Sequence, residues 1–311
     1  MDTTNKLREL PFPFEKSICY SGFRDGQSPE AQIFPTYNQV KEDLQLLEGK
    51  WKYLRLYDSD PHAKTVLEVI RNEGLDFKTY LGAYIMAEVN NPDCPWDMPV
   101  LSEEQLRKNK ALNVSKIQDL IGMASQYQEH VVALSIGNEA TVSWTDHLVP
   151  VGSVIEYAKM VKNGTNLPVS FCENYVPWLH KLEPLVDEID FISIHTYPVW
   201  EHKKIDEALA YTKQNFFEVA RKYPQKPIVI SEAGWATNSD GRGIPPENVS
   251  EEAQKEYYHQ LMEWTEAEKI VTFVFEAFDE TWKGSAHHLE PEKHWGLYTM
   301  ERTPKLVMEP F

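Results

Sequence analysis

HVVALSIGNE (130–139) and KPIVISEAGW (226–235) decide the fold. Each is a short run of β-branched and aliphatic residues that ends at or near a glutamate with a glycine close by. Outward from this pair lie six more runs of the same kind. They are SICYSG (17–22), KYLRLYD (52–58), FKTYLGAYI (77–85), LPVSFCEN (167–174), IDFISIHTYP (189–198) and VTFVFEAFDE (271–280). Each is followed by a helix-like stretch, and this alternation is the mark of parallel βαβ units. Eight is the number that closes a barrel, so the 311 residues predict an α/β fold, a (β/α)8 TIM barrel. One domain covers 1–311, with 1–14 an N-terminal extension outside the barrel.

Between the strands, apolar residues fall at helical spacing: Val40, Leu44 and Leu47, then Val66, Val69 and Ile70, then Ile117, Leu120 and Ile121. Later helices are expected over 152–164, 203–222 and 250–268. Long loops are expected from Glu88 to Pro99, Asn238 to Asn248 and Thr281 to Lys293. All three follow strands, which puts them on the C-terminal face of the barrel.

Composition narrows the function classes. With 42% hydrophobic and 25% charged residues the chain has the make-up of a soluble globular protein. Its 31 Lys+Arg against 48 Asp+Glu give a net charge of −17, which repels a polyphosphate backbone and excludes nucleic acid as the natural partner. A neutral polymer meets no such barrier. Cys19, Cys94 and Cys172 have neither disulfide-framework nor zinc spacing, and Cys19 and Cys172 read as small buried hydrophobes. No apolar window of membrane-spanning length and no signal-peptide core occurs in the sequence.

Catalytic residues in such barrels project from the C-terminal ends of strands. Strand four ends Ile136-Gly137-Asn138-Glu139 and strand seven ends Ser231-Glu232-Ala233-Gly234-Trp235. A single acidic residue after a strand is often only a helix cap. Two, on strands that face each other across the barrel mouth, can flank a bond from opposite sides, as glycoside hydrolysis requires. Glu276, Asp279 and Glu280 after strand eight, with Lys283 close behind, form the rival carboxylate set.

Six stretches, CYSGFRDGQ (19–27), LRLYD (54–58), SIGNEA (135–140), ISEAGWAT (230–237), FEAFDETWKG (275–284) and KHWGLY (293–298), together resemble glycoside hydrolase family 17 nearly end to end, nearer to its bacterial and some fungal members. The resemblance implies a retaining, endo-acting hydrolase of β-1,3-glucan such as laminarin, with Glu139 as acid/base and Glu232 as nucleophile. Asn138 matches the asparagine that binds the sugar 2-hydroxyl, and Tyr197, at the end of strand six, is placed to orient Glu232. Glu280 and Lys283 read as a positioning pair near the sugar, and Glu276 as substrate-binding or supporting.

Aromatic rings cover the apolar faces of sugars, so Trp235, Trp282 and Trp295 are candidate platforms, whereas Trp51 and Trp264 lie on helical segments and read as packing. Tyr20, Arg24 and Gln27 after strand one, and Tyr57 and Asp58 after strand two, are expected to line the site. For Arg55 a structural ion pair and a substrate contact fit equally. His287, His288 and His294 lack metal-ligand spacing, and neither metal nor cofactor is expected. The partner expected is a β-glucan, the oligomeric state a monomer, and the location secreted, periplasmic or cell-surface. Exo-cleavage, transglycosylation and a glycan-binding protein without turnover are the alternatives.

Overall fold

The computed structural model describes residues 7–95 and 98–309. Eight strands close into one barrel in chain order: β1 (Ser17–Cys19), β2 (Tyr53–Leu56), β3 (Lys78–Gly82), β4 (Val131–Asn138), β5 (Val169–Asn174), β6 (Ile192–His195), β7 (Ile228–Ala233) and β8 (Thr272–Val274). Every neighbouring pair is parallel, including β1 with β8. Each of the eight apolar runs holds one strand, and most overshoot it because their last residues have left the ladder to build the C-terminal face.

The helices are α1 (Tyr37–Leu47), α2 (Pro61–Glu73), α3 (Glu103–Gln126), α4 (Val151–Gly164), α5 (Tyr175–His180), α6 (Ile205–Lys222) and α7 (Glu251–Glu268). Their starts are written locally. Thr36 and Gln39 form a capping box before α1, Asp60 caps α2 with Pro61 in its first turn, and Ser102 and Ser250 cap α3 and α7. Each long helix lays one apolar stripe on the barrel, such as Val66, Leu67, Val69 and Ile70 on α2. Trp264 is buried on α7 and packs there as expected; Trp51 is buried too, but in the connection between α1 and β2 and not on a helix.

One departure has a physical cause. α5 is a six-residue helix containing Pro177, too short to show helical periodicity, and is held by the Asn174 side chain accepting from the Val176 amide. After β8 the described chain makes only 3-10 turns. It pairs Tyr298 with Phe278 and Pro304 and then sets Leu306–Met308 against α7.

Residues 7–14 supply no strand, yet they close the barrel floor. Phe12 meets Tyr53 and Phe191 edge-on at 6.0 and 5.3 Å, and the Tyr53 hydroxyl donates to the Pro13 carbonyl at 3.1 Å. Above that floor the interior is filled by Tyr80, whose hydroxyl lies 2.9 Å from Ser193 Oγ, and by the free thiols of Cys19 and Cys172. The mouth at the opposite end is left to polar residues. Among the described residues no helix is long and apolar enough to cross a membrane.

Candidate active site

Glu139 follows the last residue of β4 with φ at 44°, a left-handed conformation that costs a glutamate energy and is characteristic of functional positions. The β4–β5 register breaks between Ser135 and Asn138, and further breaks fall between Ile194 and His195 and between Ile230 and Ala233. Such irregularities re-aim side chains at a barrel rim. Gly234 is required where it stands, since a Cβ there would sit 2.0 Å from the Phe275 carbonyl oxygen. β7 therefore passes β8 closely enough to fix the residues around Glu232. A carboxylate oxygen of Glu139 and one of Glu232 come within 4.8 Å of each other.

The two glutamates have different surroundings. Glu232 is buried and accepts from the Arg55 guanidinium and, at 3.1 Å, from the Tyr57 hydroxyl through one oxygen. Its other oxygen accepts from the Tyr197 hydroxyl and lies 3.4 Å from His195 Nδ1. Burial alone would raise its pKa, but the charges of His195 and Arg55 and the Tyr197 hydrogen bond pull it down to about 2. It is a fixed anion. Glu139 is a quarter exposed and is held at one oxygen only, 2.8 Å from His195 Nδ1.

Arg55 is the hinge of this arrangement. Buried at 2% exposure, it also donates from Nη2 to Asn138 Oδ1, so it ties β2 to β4 and β7 in one network. Of the two roles open to it in the sequence, the structure shows the ion pair. Glu139, His195 and Glu232 have donor atoms close enough to hold a cation. The Arg55 guanidinium already occupies one Glu232 oxygen and the His195 ring bridges both carboxylates, so a metal ion would displace the ion pair that fills the site.

The rival carboxylates are neutralised among themselves. Lys283 Nζ lies 2.7 and 2.6 Å from the two oxygens of Glu276 and 2.8 Å from Glu280. One ammonium cannot balance two buried carboxylates. Burial raises Glu276 far above the ordinary range, while Glu280, buried too, is pulled below it by Lys283. Phe23 N donates to Glu280 at 3.1 Å, so this carboxylate also anchors the β1 loop. Asp279 is taken by Lys305 and the Gly296 amide.

Several expected site residues serve packing instead. Trp235 is buried, donates to the Asn248 carbonyl at 2.9 Å and packs on Tyr257. Trp295 is fully buried beneath Tyr197 and Phe275, at 5.1 and 5.7 Å between ring centres. Tyr20 is fully buried with its hydroxyl 3.1 Å from Asp43, and Arg24 pairs with Glu42 and Asp43. These two fasten the β1 loop to α1; Gln27 helps by receiving the Arg24 amide, and Asp58 pairs with Lys116. Trp282 keeps part of its surface exposed, beside Phe23 and Lys283. His287 faces Asp240, and His294 reaches the His288 carbonyl.

The sequence reading left out two residues of the site. His195 is the last residue of β6 and stands two residues before Tyr197, which lies beyond the strand; both reach Glu232, and that spacing of two was the signal for it. Glu292, in the turn Pro291–Lys293, lies close enough to Glu139, Glu232 and Lys283 to feel their charges. Burial, against the pull of Lys283, raises it to about 7.

The chain matches the family described as the BtgE/BtgC glycoside hydrolase domain over residues 17–296. The Aspergillus terreus protein named "Probable glucan endo-1,3-beta-glucosidase btgC" is 27% identical over 302 residues, covering 90% of this chain and 43% of its own length. A glucan 1,3-beta-glucosidase of Arthroderma benhamiae is 27% identical over 131 residues, 38% of this chain and 41% of its own length. The chain thus spans less than half the length of these curated relatives. Among solved structures, an endo-laminarinase from Formosa Hel1_33_131 superposes with a TM-score of 0.80 at 25% identity, covering 94% of this chain and 85% of the other. A glycoside hydrolase family 17 beta-1,3-glucanosyltransferase from Rhizomucor miehei shares the fold, with a TM-score of 0.72 at 22% identity over 94% and 96% of the two chains. Because the family match runs from β1 to Gly296 and includes both Glu139 and Glu232, the chain belongs to the BtgE/BtgC glycoside hydrolase family.

Proposed function

We propose that this protein is a retaining endo-hydrolase of β-1,3-glucan, with Glu232 as nucleophile and Glu139 as acid/base. The observation that carries the reading is the approach of the two carboxylates to within 4.8 Å. Retaining pairs stand about 5–5.5 Å apart, whereas an inverting pair needs about 6.5–9.5 Å to admit water. The substrate class and internal cleavage are supported by the names of the relatives, a glucan endo-1,3-beta-glucosidase and an endo-laminarinase.

The roles follow from the surroundings. Glu232, ionised under Arg55 and His195, attacks the anomeric carbon while Glu139 gives its proton to the departing glycosidic oxygen. A glycosyl–Glu232 ester forms and the bond to the leaving sugar breaks. In the second half Glu139, now anionic, takes a proton from water, which attacks the anomeric carbon and releases Glu232. Asn138, held by Arg55, adjoins Glu139 where a sugar 2-hydroxyl would lie. Tyr57 and Tyr197 keep the nucleophile's oxygens oriented. A glucan polymer is met outside the cell membrane, which favours a secreted, periplasmic or cell-surface location.

Product analysis on laminarin and its reduced oligosaccharides, for wild type and Glu232→Ala, tests the reading. Short β-1,3 oligosaccharides from wild type and none from the variant are expected. Glucose alone would indicate attack at chain ends, and products longer than the substrate would indicate glycosyl transfer. Binding without turnover would make the chain a glycan-binding protein.

A further inference from the structure

We propose that His147, in the loop after β4, is a positioning residue for Glu139: its Nε2–H holds the Asn138 carbonyl and so fixes the peptide from which the acid/base side chain projects. The proposal rests on the retaining-glycosidase reading of Glu139 and Glu232.

Glu139 stands at φ 44°, a conformation that persists only where its surroundings over-determine it. Its own amide donates to the Cys172 carbonyl on β5 at 2.9 Å. The 138–139 peptide is trans, so its carbonyl points the opposite way, toward the β3 side of the strand. There the ladder stops short of it, because β3 ends at Gly82 in register with Ser135. His147 supplies the donor instead, with Nε2 2.9 Å from the Asn138 oxygen. A carbonyl only accepts, so Nε2 carries the proton. The peptide is thereby held at both ends, by β5 through its N–H and by His147 through its C=O.

The ring is itself fixed on its other side. It is largely buried, and Nδ1 lies 2.6 Å from Asp146 Oδ1 and 3.1 Å from the hydroxyls of Tyr84 and Thr145. Tyr84 also packs on the ring, at 4.6 Å between centres. Burial lowers the pKa of His147, but the Asp146 hydrogen bond and then the Asn138 carbonyl hold it above the ordinary value. The loop that carries the ring is braced in turn. Asn91 Nδ2 donates to the Ser143 and Thr145 carbonyls, both at 2.8 Å, and the Val149 amide donates to the Ala140 carbonyl at 2.7 Å. Tyr84 and Asn91 both follow β3, so the loops after β3 and β4 set the ring together.

The consequence is unequal across the site. The Asn138 side chain is tied separately to Arg55, and Glu232 keeps Arg55, Tyr57 and Tyr197 whatever His147 does. Glu139, held at one oxygen by His195, depends on its backbone for direction. Without the His147 donor the 138–139 peptide is free to turn about its remaining bond to Cys172. An acid aimed off the leaving oxygen loses proton transfer first, so acid assistance suffers more than nucleophilic attack.

The test compares wild type with His147→Phe, which keeps a ring on Tyr84 but has no donor, and His147→Gln, whose Nε2 keeps the donor but has no ring. The substrates are a reduced laminari-oligosaccharide and a dinitrophenyl β-laminaribioside, whose leaving group needs no proton. For His147→Phe, kcat/KM is expected to fall roughly tenfold on the oligosaccharide, part of the about 10²–10⁴-fold that acid catalysis supplies, and less than about twofold on the dinitrophenyl glycoside. His147→Gln is expected to stay within about threefold of wild type on both. Equal losses for His147→Phe on the two substrates, or none, overturn the proposal, as does a His147→Gln enzyme as impaired as His147→Phe on the oligosaccharide. Nitrogen NMR of the wild-type His147 ring, without substrate, keeps the test available if neither variant folds. A protonated Nε2 is expected at neutral pH, and a bare Nε2 overturns the proposal. Inactive, folded wild type on both substrates counts against the β-1,3-glucan reading alone, and the ring measurement still decides whether His147 holds the Asn138 carbonyl.

Discussion

Arg55 reaches across the barrel interior from β2 to Glu232 on β7 and Asn138 on β4, so its removal strips the proposed nucleophile and the asparagine proposed to bind the sugar of their shared partner. Arg55→Met, of similar length without charge, is expected to lower kcat/KM on laminarin by roughly 10²–10³-fold, the scale of losing a preorganised donor. It is also expected to cost about 3–5 kcal/mol of stability, because a buried carboxylate loses its partner; denaturant unfolding checks this. A pH dependence follows from Glu232, held at about 2 against its ordinary 4.5. The folded pKa is depressed, so its ion pairs stabilise the fold fully above 4.5 and that contribution is lost as pH falls through about 2. The stability difference between wild type and Glu232→Gln is therefore expected to shrink on acidification across that window. A difference that grows contradicts the pairing. The convergence of Glu139 and Glu232 was legible because each stands where an apolar run meets polar residues, next to a glycine crowded by side chains at Gly137 and by backbone at Gly234. Tyr20, Arg24, Trp235 and Trp295 were misplaced because strand-end position says which face a residue is on, not whether it turns inward to the cleft or sideways into packing.

At the scale of elements, the segment 7–14 does its work at the floor, far from the catalytic mouth. Phe12→Ala removes a ring packed on Tyr53 and Phe191 and is expected to cost about 3 kcal/mol while leaving kcat/KM within about twofold of wild type. Thermal melts beside laminarin kinetics separate the two effects; a large kinetic loss would show that the floor shapes the site. All eight strands were legible, since a barrel strand is a short apolar run bounded by polar loops. The helices with long apolar stripes were legible too. α5 was not, because six residues with an internal proline leave no period to read. Thr281 to Lys293 was read as a loop and holds one short 3-10 turn, Pro291–Lys293, but the return of the chain through Tyr298 to α7 depends on pairings far apart in sequence.

For the whole molecule, the net charge of −17 excludes polyanions but gives no attraction to a neutral glucan. Steering is then absent, and kcat/KM on laminarin is expected to change less than about twofold between low and physiological salt, where the screening length falls to about 8 Å. A steep salt dependence would mean that a charged substrate is the natural one. The charges that matter are the buried ones, and they favour Glu232 on β7 as the proposed nucleophile. The most direct measurement is trapping with a 2-deoxy-2-fluoro laminaribiosyl inhibitor followed by peptide mass spectrometry. A glycosyl label on the peptide carrying Glu232, together with a β-configured first product, is the expected result. A label on Glu276 or Glu280, or an α-configured first product, would contradict the assignment.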